Sequence, residues 1–423
     1  MSPIRRWVLW LKQDVWGSLG PGLITGAADD DPSGIATYSV TGAQFGTTLL
    51  WTALITWPLM AAVQMMCARV GMVSGRGLGG VFKKKFSSPV VTIATSALLI
   101  ANTINVGADL SGMADAAEML TRVSSRIWIA VFALGISFAT VRLRYHQIAN
   151  TLKWLALVLF AYVITSVVVR PDWGAALRDT FIPTIPRTKD AWQTVVAILG
   201  TTISPYLFFW QSTQEVEEEK SAGLNSIAAR RGATKNELRT RRFDVTVGSF
   251  FSQVVMYFII LTTAVTLHSH GYTHIETSKD AAKALEPLAG SLAATLFTVG
   301  IVGVGFLAIP TLTGSAAYAF AEAYGWKQGL DKQLQQARSF YLVILASTLA
   351  AVLMNFLNIS PVKAMYWSAV INGVLAPFLL VGILIVSCDK SLMSGQVSPR
   401  LSRVVVVITT GLMFVAAAAM FLI

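Results

Sequence analysis

Eleven apolar runs, each bounded by charge or turn residues, recur along the chain at 19–45, 48–70, 89–119, 127–142, 148–169, 191–213, 244–267, 290–322, 338–358, 362–388 and 401–423. A helix of about 20 apolar residues crosses the hydrocarbon core of a bilayer, so this series predicts a polytopic, all-α membrane protein. The third and eighth runs exceed what a bilayer needs and are expected to tilt or to project from it. Only 13% of the residues are charged, against about 25% in a soluble domain. That load of apolar surface excludes a cytosolic enzyme and a nucleic-acid-binding domain. The net charge of +11 therefore has to be read by its placement between spans.

Placing the N-terminus inside puts 24 of the 33 Lys and Arg in inner segments and 9 in outer ones. This is the asymmetry of the positive-inside rule, and it sets the expected topology: N-terminus cytoplasmic, C-terminus outside, in the cell (inner) plasma membrane. No cleavable signal peptide is expected. Residues 1–18 mix Arg5, Arg6 and Lys12 with Trp7, Leu9, Trp10 and Trp16, the pattern of an amphipathic helix lying on the inner face. No linker divides the chain, so a single domain is expected over 1–423. Within it, 19–169 forms a first repeat, 191–388 a second, and 401–423 an extra helix. The inner 214–243 and outer 267–289 segments are the longest polar stretches, suited to short surface helices. Cys67 and Cys388 provide no disulfide framework.

Two spans carry helix breakers at corresponding places. The first has Gly20-Pro21-Gly22, then Asp29-Asp30-Asp31-Pro32-Ser33-Gly34. Three carboxylates at membrane depth are costly, and Pro-Ser-Gly is a poor helix interior. The sixth has Gly200-Thr201-Thr202-Ile203-Ser204-Pro205-Tyr206. Unwound backbone at membrane depth survives only inside protein or beside a water-filled cavity. Breaks five spans apart, in a five-plus-five arrangement, point to an inverted-repeat transporter whose site lies between them at the midplane. The plainer reading is that each Pro merely kinks a packed helix.

The groups at the breaks are hard oxygen donors: the Asp31 carboxylate, the Ser33 and Ser204 hydroxyls, and freed carbonyls such as that of Thr201. Such donors suit Mg²⁺, Mn²⁺ or Ca²⁺. No Met, Cys or His falls inside either break. Mg²⁺ keeps much of its water, so few direct ligands would serve.

In their order and span placement, these motifs resemble the Nramp family of divalent-metal transporters, over most of spans one to ten. Asp31-Pro32-Ser33-Gly34 is similar to the family's Asp-Pro-Gly-Asn, and Ser204-Pro205-Tyr206 stands where the family has Met-Pro-His. Ala68-Arg69-Val70-Gly71-Met72-Val73-Ser74-Gly75, Ala108-Asp109-Leu110 and Leu375-Ala376-Pro377-Phe378 match further family segments. The resemblance implies a LeuT-type inverted repeat with helices 1 and 6 broken, plus an eleventh helix. It implies a secondary transporter moving divalent cations by alternating access, with the metal as substrate, no resident cofactor, no enzymatic activity, and no partner required beyond ion and bilayer.

By position, the resemblance makes Asp31 the metal-binding Asp and Thr201 the donor of a backbone carbonyl. Gly34 replaces a ligating Asn, Ser204 a thioether Met, Tyr206 a His tied to proton movement, and Gly112 a Glu on the proton route. Ala369 stands near a family Gln, with Asn372 a substitute. This pattern is similar to the Nramp-related magnesium transporters, which implies Mg²⁺, with Mn²⁺ also carried, and no obligatory proton coupling. The alternative is a proton-coupled Mn²⁺/Fe²⁺ symporter of the standard Nramp type.

Other residues leave two readings open. Asp29 and Asp30 either face an ion approach or bond a neighbouring helix; successive helical residues point about 100° apart, so all three Asp cannot hold one ion. Asp109, with Asn102 and Asn105, either lines the ion path or makes helix–helix hydrogen bonds. His268, His270 and His274 have loose metal-like spacing, or form a plain exposed loop. Glu215, Glu217, Glu218 and Glu219 read as a solvated helix end facing the basic 230–242 stretch. A sodium-coupled solute symporter would leave the Asp triplet unexplained. An intramembrane aspartyl protease would need a second catalytic Asp, for which only Asp109 is placed and no Gly-x-Gly-Asp signature occurs.

Overall fold

A computed structural model describes residues 21–142, 157–330, 332–357 and 359–423. The expected amphipathic segment 1–18, and the expected span 148–169 as far as residue 156, lie outside the described residues. Among the described residues the regular structure is helical: α1 (Pro21–Asp29), α2 (Pro32–Phe45), α3 (Trp51–Ser74), α4 (Leu78–Lys85), α5 (Ser88–Thr121), α6 (Ser125–Arg142), α7 (Phe160–Val168), α8 (Trp173–Phe181) and α9 (Lys189–Thr202). Then come α10 (Pro205–Ser221), α11 (Lys235–Thr266), the short α12 (Ser278–Ala282) and α13 (Glu286–Ala289), α14 (Ala293–Tyr324), α15 (Arg338–Met354), α16 (Pro361–Ser387) and α17 (Arg400–Leu422). Nine helical stretches in the described residues are long and apolar enough to cross a membrane. The first expected span is absent from that set because its break divides it into α1 and α2. The fifth is absent because only its second half is described.

Both breaks occur, but later in the motif than the glycines implied. From Pro21, the first described residue, α1 is continuous as far as Asp29. The chain leaves helical geometry at Asp30 and Asp31 and re-enters it at Pro32. In the second break α9 continues through Gly200, Thr201 and Thr202, and only Ile203 and Ser204 separate it from α10.

Boundaries around the polar segments also move. The polar 214–243 segment is largely helical: α10 runs on to Ser221, and α11 starts at Lys235 behind a Thr234–Glu237 capping box. At the end of α4, Lys85 Nζ pairs with Asp389 Oδ2 at 2.6 Å. That hydrogen bond holds the Asp389 carboxyl below the usual carboxylate range.

The two broken helices sit at the centre, while α6, α15 and α17 lie at the periphery. Peripheral apolar side chains such as Leu134, Phe138, Leu349 and Leu401 are exposed, as a lipid-facing surface requires. Close helix approach in lipid depends on small residues. A Cβ at Gly26 would meet Gly248 backbone at 2.4 Å, so α1 and α11 touch main chain to main chain. A Cβ at Gly200 would lie 2.0 Å from the Ala369 carbonyl, which fixes α9 against α16 in the same way. The halves meet crosswise: α1 packs on α10 and α2 on α9.

Candidate functional site

The breaks bring two helix C-termini, those of α1 and α9, to one place in the interior. Helix C-termini carry partial negative charge and carbonyls without intrahelical partners. At α1 the Ala28 carbonyl accepts from the Tyr206 hydroxyl at 2.8 Å. At α9 the Gly200 and Thr201 carbonyls both accept from the Ser204 hydroxyl at 2.7 Å. Ser204 is thus turned back on its own break, with its proton on the carbonyl expected to face an ion and its lone pairs free.

Asp31 caps the N-terminus of α2 in extended geometry, φ −67° and ψ 168°. Its Oδ1 accepts from the Gly34 N–H at 2.6 Å, and its Oδ2 from the Asn105 amide at 2.9 Å. Gly34 contributes this N–H and close approach: a Cβ there would lie 3.0 Å from Thr201 Oγ1. The absent side chain is what lets α2 and α9 meet.

Asp109 lies with Asp31. The same Asn105 amide is 3.4 Å from Asp109 Oδ2. Asp109 Oδ1 accepts from the Ser33 N–H at 3.1 Å and the Ser33 hydroxyl at 2.6 Å. Ser33 was expected to offer its hydroxyl to an ion beside Asp31; instead it donates that proton to Asp109 and accepts from Ser368 at 3.1 Å. A hydroxyl has one proton, and a buried carboxylate is the stronger acceptor within reach. Asn372 Nδ2 is 3.5 Å from Asn105 Oδ1, and Asn372 Oδ1 has no hydrogen-bond partner among the described residues. The side chains of this group are buried, Asp31 at 3%.

Asp29 and Asp30 belong to a neighbouring arrangement. Both accept from the Ser252 hydroxyl of α11, at 2.6 and 3.2 Å. They bond a neighbouring helix, and Asp29 Oδ1 has no hydrogen-bond partner among the described residues. Asn102 leaves the group altogether, donating to the Leu312 carbonyl at 2.8 Å and to Ser315 at 2.9 Å across α14. Ser252 and Ser368 were not singled out from sequence. The readable signal for Ser252 is the polar set Ser249, Ser252 and Gln253 on one face of an apolar helix; Ser368 has none.

Two outlying expectations are corrected or narrowed. Glu215 is not solvated: it is buried and paired with Arg241 at 2.8 Å. Arg241 also pairs with Glu218, and with Asp244 at 2.6 Å. A helix end that points into the protein must bring its own counter-charge. His268 faces the Ala43 carbonyl at 2.8 Å. Among the described residues no three His, Cys, Asp or Glu side chains are grouped to hold a metal.

Comparison with known proteins places this arrangement. The sequence model of the family described as "Natural resistance-associated macrophage protein-like" (Nramp) matches residues 22–423. The divalent metal cation transporter MntH of Caldanaerobacter subterraneus subsp. tengcongensis is 26% identical over 416 residues, 94% of this chain and 90% of that protein. The crystal structure of the Eremococcus coleocola manganese transporter, in complex with an aromatic bis-isothiourea compound, superposes with a TM-score of 0.77 at 17% identity. It covers 95% of this chain and 86% of that one. A closed conformation of Mhp1, a nucleobase-cation-symport-1 transporter, gives 0.56 at 12% identity, covering 95% and 91%. The fold is the LeuT-type one expected from the breaks and motifs.

Proposed function

The chain belongs to the Nramp family, and from that premise we propose that it carries divalent metal cations across the plasma membrane by alternating access, Mg²⁺ foremost and Mn²⁺ also, without obligatory proton coupling. In this reading Asp31 is the charged ligand. The Thr201 carbonyl, the lone pairs of Ser204 and the unpartnered Oδ1 of Asn372 supply neutral oxygens, directly or through the ion's own water. Ser33 and Gly34 shape the site without ligating.

The observation that carries the reading is the donor set. Among the described residues the hydrogen-bond partners of Asp31 are the Gly34 N–H and the Asn105 amide, with the Asp109 carboxylate sharing that amide. Hard donors of this kind favour Mg²⁺ and Mn²⁺ over soft ions. Two helix C-termini add negative potential, as at the cation sites of discontinuous transporter helices.

Support for uncoupled transport comes from the positions that resemble the family's proton route. The Tyr206 hydroxyl is committed to the Ala28 carbonyl. Gly112 cannot titrate, and Met365 Sδ lies 2.5 Å from where its Cβ would stand. Mg²⁺ would then enter on its own gradient and the membrane potential, worth about 4.6 kcal/mol for two charges at 100 mV. A second reading, proton-coupled Mn²⁺ symport, is favoured by Asp109, an ionisable group joined to Asp31 through Asn105.

Uptake into proteoliposomes, with Mg²⁺, Mn²⁺ and Cd²⁺ in competition and a pH dye inside, separates these readings. Mg²⁺ and Mn²⁺ uptake that Cd²⁺ barely inhibits, without acidification, supports the first. Cd²⁺ and Mn²⁺ uptake that excludes Mg²⁺ and acidifies the lumen replaces it with the second.

A further inference from the structure

Away from the ion site, a cavity of about 290 Å³ opens at the inner end of the bundle. It lies between the turn after α3, the end of α10 and the segment following α14. Arg76, Lys220, Arg230, Lys327 and Lys332 line it, with Glu322 the carboxylate among the lining residues. None of the residues assigned to the ion site lines it.

Among the described lining residues five cations face one carboxylate. Lys220 is paired with Glu217 at 2.7 Å. Arg230 is buried, held by the Gly75 and Leu224 carbonyls at 3.4 and 2.7 Å, and attracted by Glu219. Glu322 is spent on structure: Oε2 accepts from the Gly80 N–H at 3.1 Å in the first turn of α4, and Oε1 from Gln328 at 3.2 Å. Arg76, Lys327 and Lys332 form no ion pair among the described residues. Holding cations together against their mutual repulsion raises affinity for an anion that can sit between them.

The setting defines the anion. Trp326 lines the cavity and stacks on Tyr324 at 5.5 Å, both exposed. Exposed Tyr and Trp at a span end mark the headgroup level of a bilayer. Basic pockets between spans on the cytoplasmic side are suited to phosphate-bearing headgroups, and the Arg guanidinium matches phosphate geometry.

We propose that this cavity is a binding site for a phosphate group, presented by an anionic phospholipid of the inner leaflet or by a soluble phosphate compound. The proposal is independent of which ion the transporter carries. An anion seated here bridges the α3–α4 turn to the α14–α15 connection, joining segments from both halves of the fold.

The test is native mass spectrometry of the detergent-purified chain, titrated separately with phosphatidylglycerol, phosphatidylcholine and inorganic pyrophosphate. The double variant Lys327→Gln/Lys332→Gln and a control, Lys235→Gln/Arg239→Gln, are measured beside it; both pairs are exposed, so folding is preserved. Wild type is expected to bind phosphatidylglycerol over phosphatidylcholine. The double variant should bind about thirtyfold more weakly, the worth of two lysines against an anionic headgroup, with the control unchanged. Pyrophosphate binding with the same variant dependence, without lipid preference, assigns the site to a soluble phosphate. Equal binding by wild type and double variant, an equal loss in the control, or no binding in either arm overturns the proposal.

Discussion

Asp31 and Asp109, 78 positions apart in sequence, share one donor: the Asn105 amide lies 2.9 Å from Oδ2 of the first and 3.4 Å from Oδ2 of the second. Two buried carboxylates side by side repel, and a single amide between them tempers that repulsion while leaving room for a cation to remove it. Asn105→Ala removes the bridge. Apparent Mg²⁺ affinity is expected to fall roughly tenfold, the scale of one charge-assisted hydrogen bond. Calorimetric titration of the purified variant checks this, and an unchanged affinity would show that the bridge does not shape the ion site.

Asp31→Asn should abolish divalent-ion binding and uptake while leaving the fold intact. Asn can still accept from the Gly34 N–H and cap α2, but a divalent cation at membrane depth requires compensating charge. Titration with Mn²⁺ reads the result directly. Retained binding would move the site away from Asp31.

Ser204→Met should raise preference for Cd²⁺ over Mg²⁺, by roughly tenfold or more, by placing a thioether at the break. The substitution also removes the hydroxyl that now covers the Gly200 and Thr201 carbonyls. Competition uptake measures the ratio, and its constancy in a folded variant would mean that position 204 does not face the ion.

Mg²⁺ influx is expected to proceed without stoichiometric lumenal acidification, at the same rate with and without a proton gradient when the membrane potential is clamped. An internal pH dye reports this. Acidification that tracks influx and vanishes in Asp31→Asn would establish coupling, with Asp109 the group to examine next.

Arg241→Ala should destabilise the fold by about 3–5 kcal/mol, the usual result of stripping a counter-charge from a buried carboxylate. Glu215 and Asp244 are the buried partners; Glu218 is more exposed. Asp244 also accepts from the Gly22 N–H at 2.8 Å, which ties α1 to the same cluster. Thermal denaturation in detergent should show a lowered midpoint. Arg241→Lys should rescue only in part, since one ammonium cannot reproduce a guanidinium facing three carboxylates.

The sequence by itself determined the spans, the two breaks and the family. Those features depend on local chemistry: apolar runs of bilayer length, proline without an N–H, and carboxylates that no lipid-exposed helix could carry. It also placed Asp31 in the first break and Thr201 in the last helical turn before the second. Tertiary structure decided who pairs with whom. Ser33 reads from sequence as a donor beside Asp31, and only the approach of α5 gives its proton to Asp109. Glu215 reads as solvated because it stands in a charged run, and only the packing of α10 against α3 buries it, with Arg241 reaching it from α11. Helix periodicity fixes which residues share a face. The rotation and depth at which two helices meet come from packing across the whole bundle, at contacts such as Gly26 on Gly248 and Gly200 on Ala369. Each of those contacts joins residues more than a hundred positions apart, beyond the reach of any local pattern.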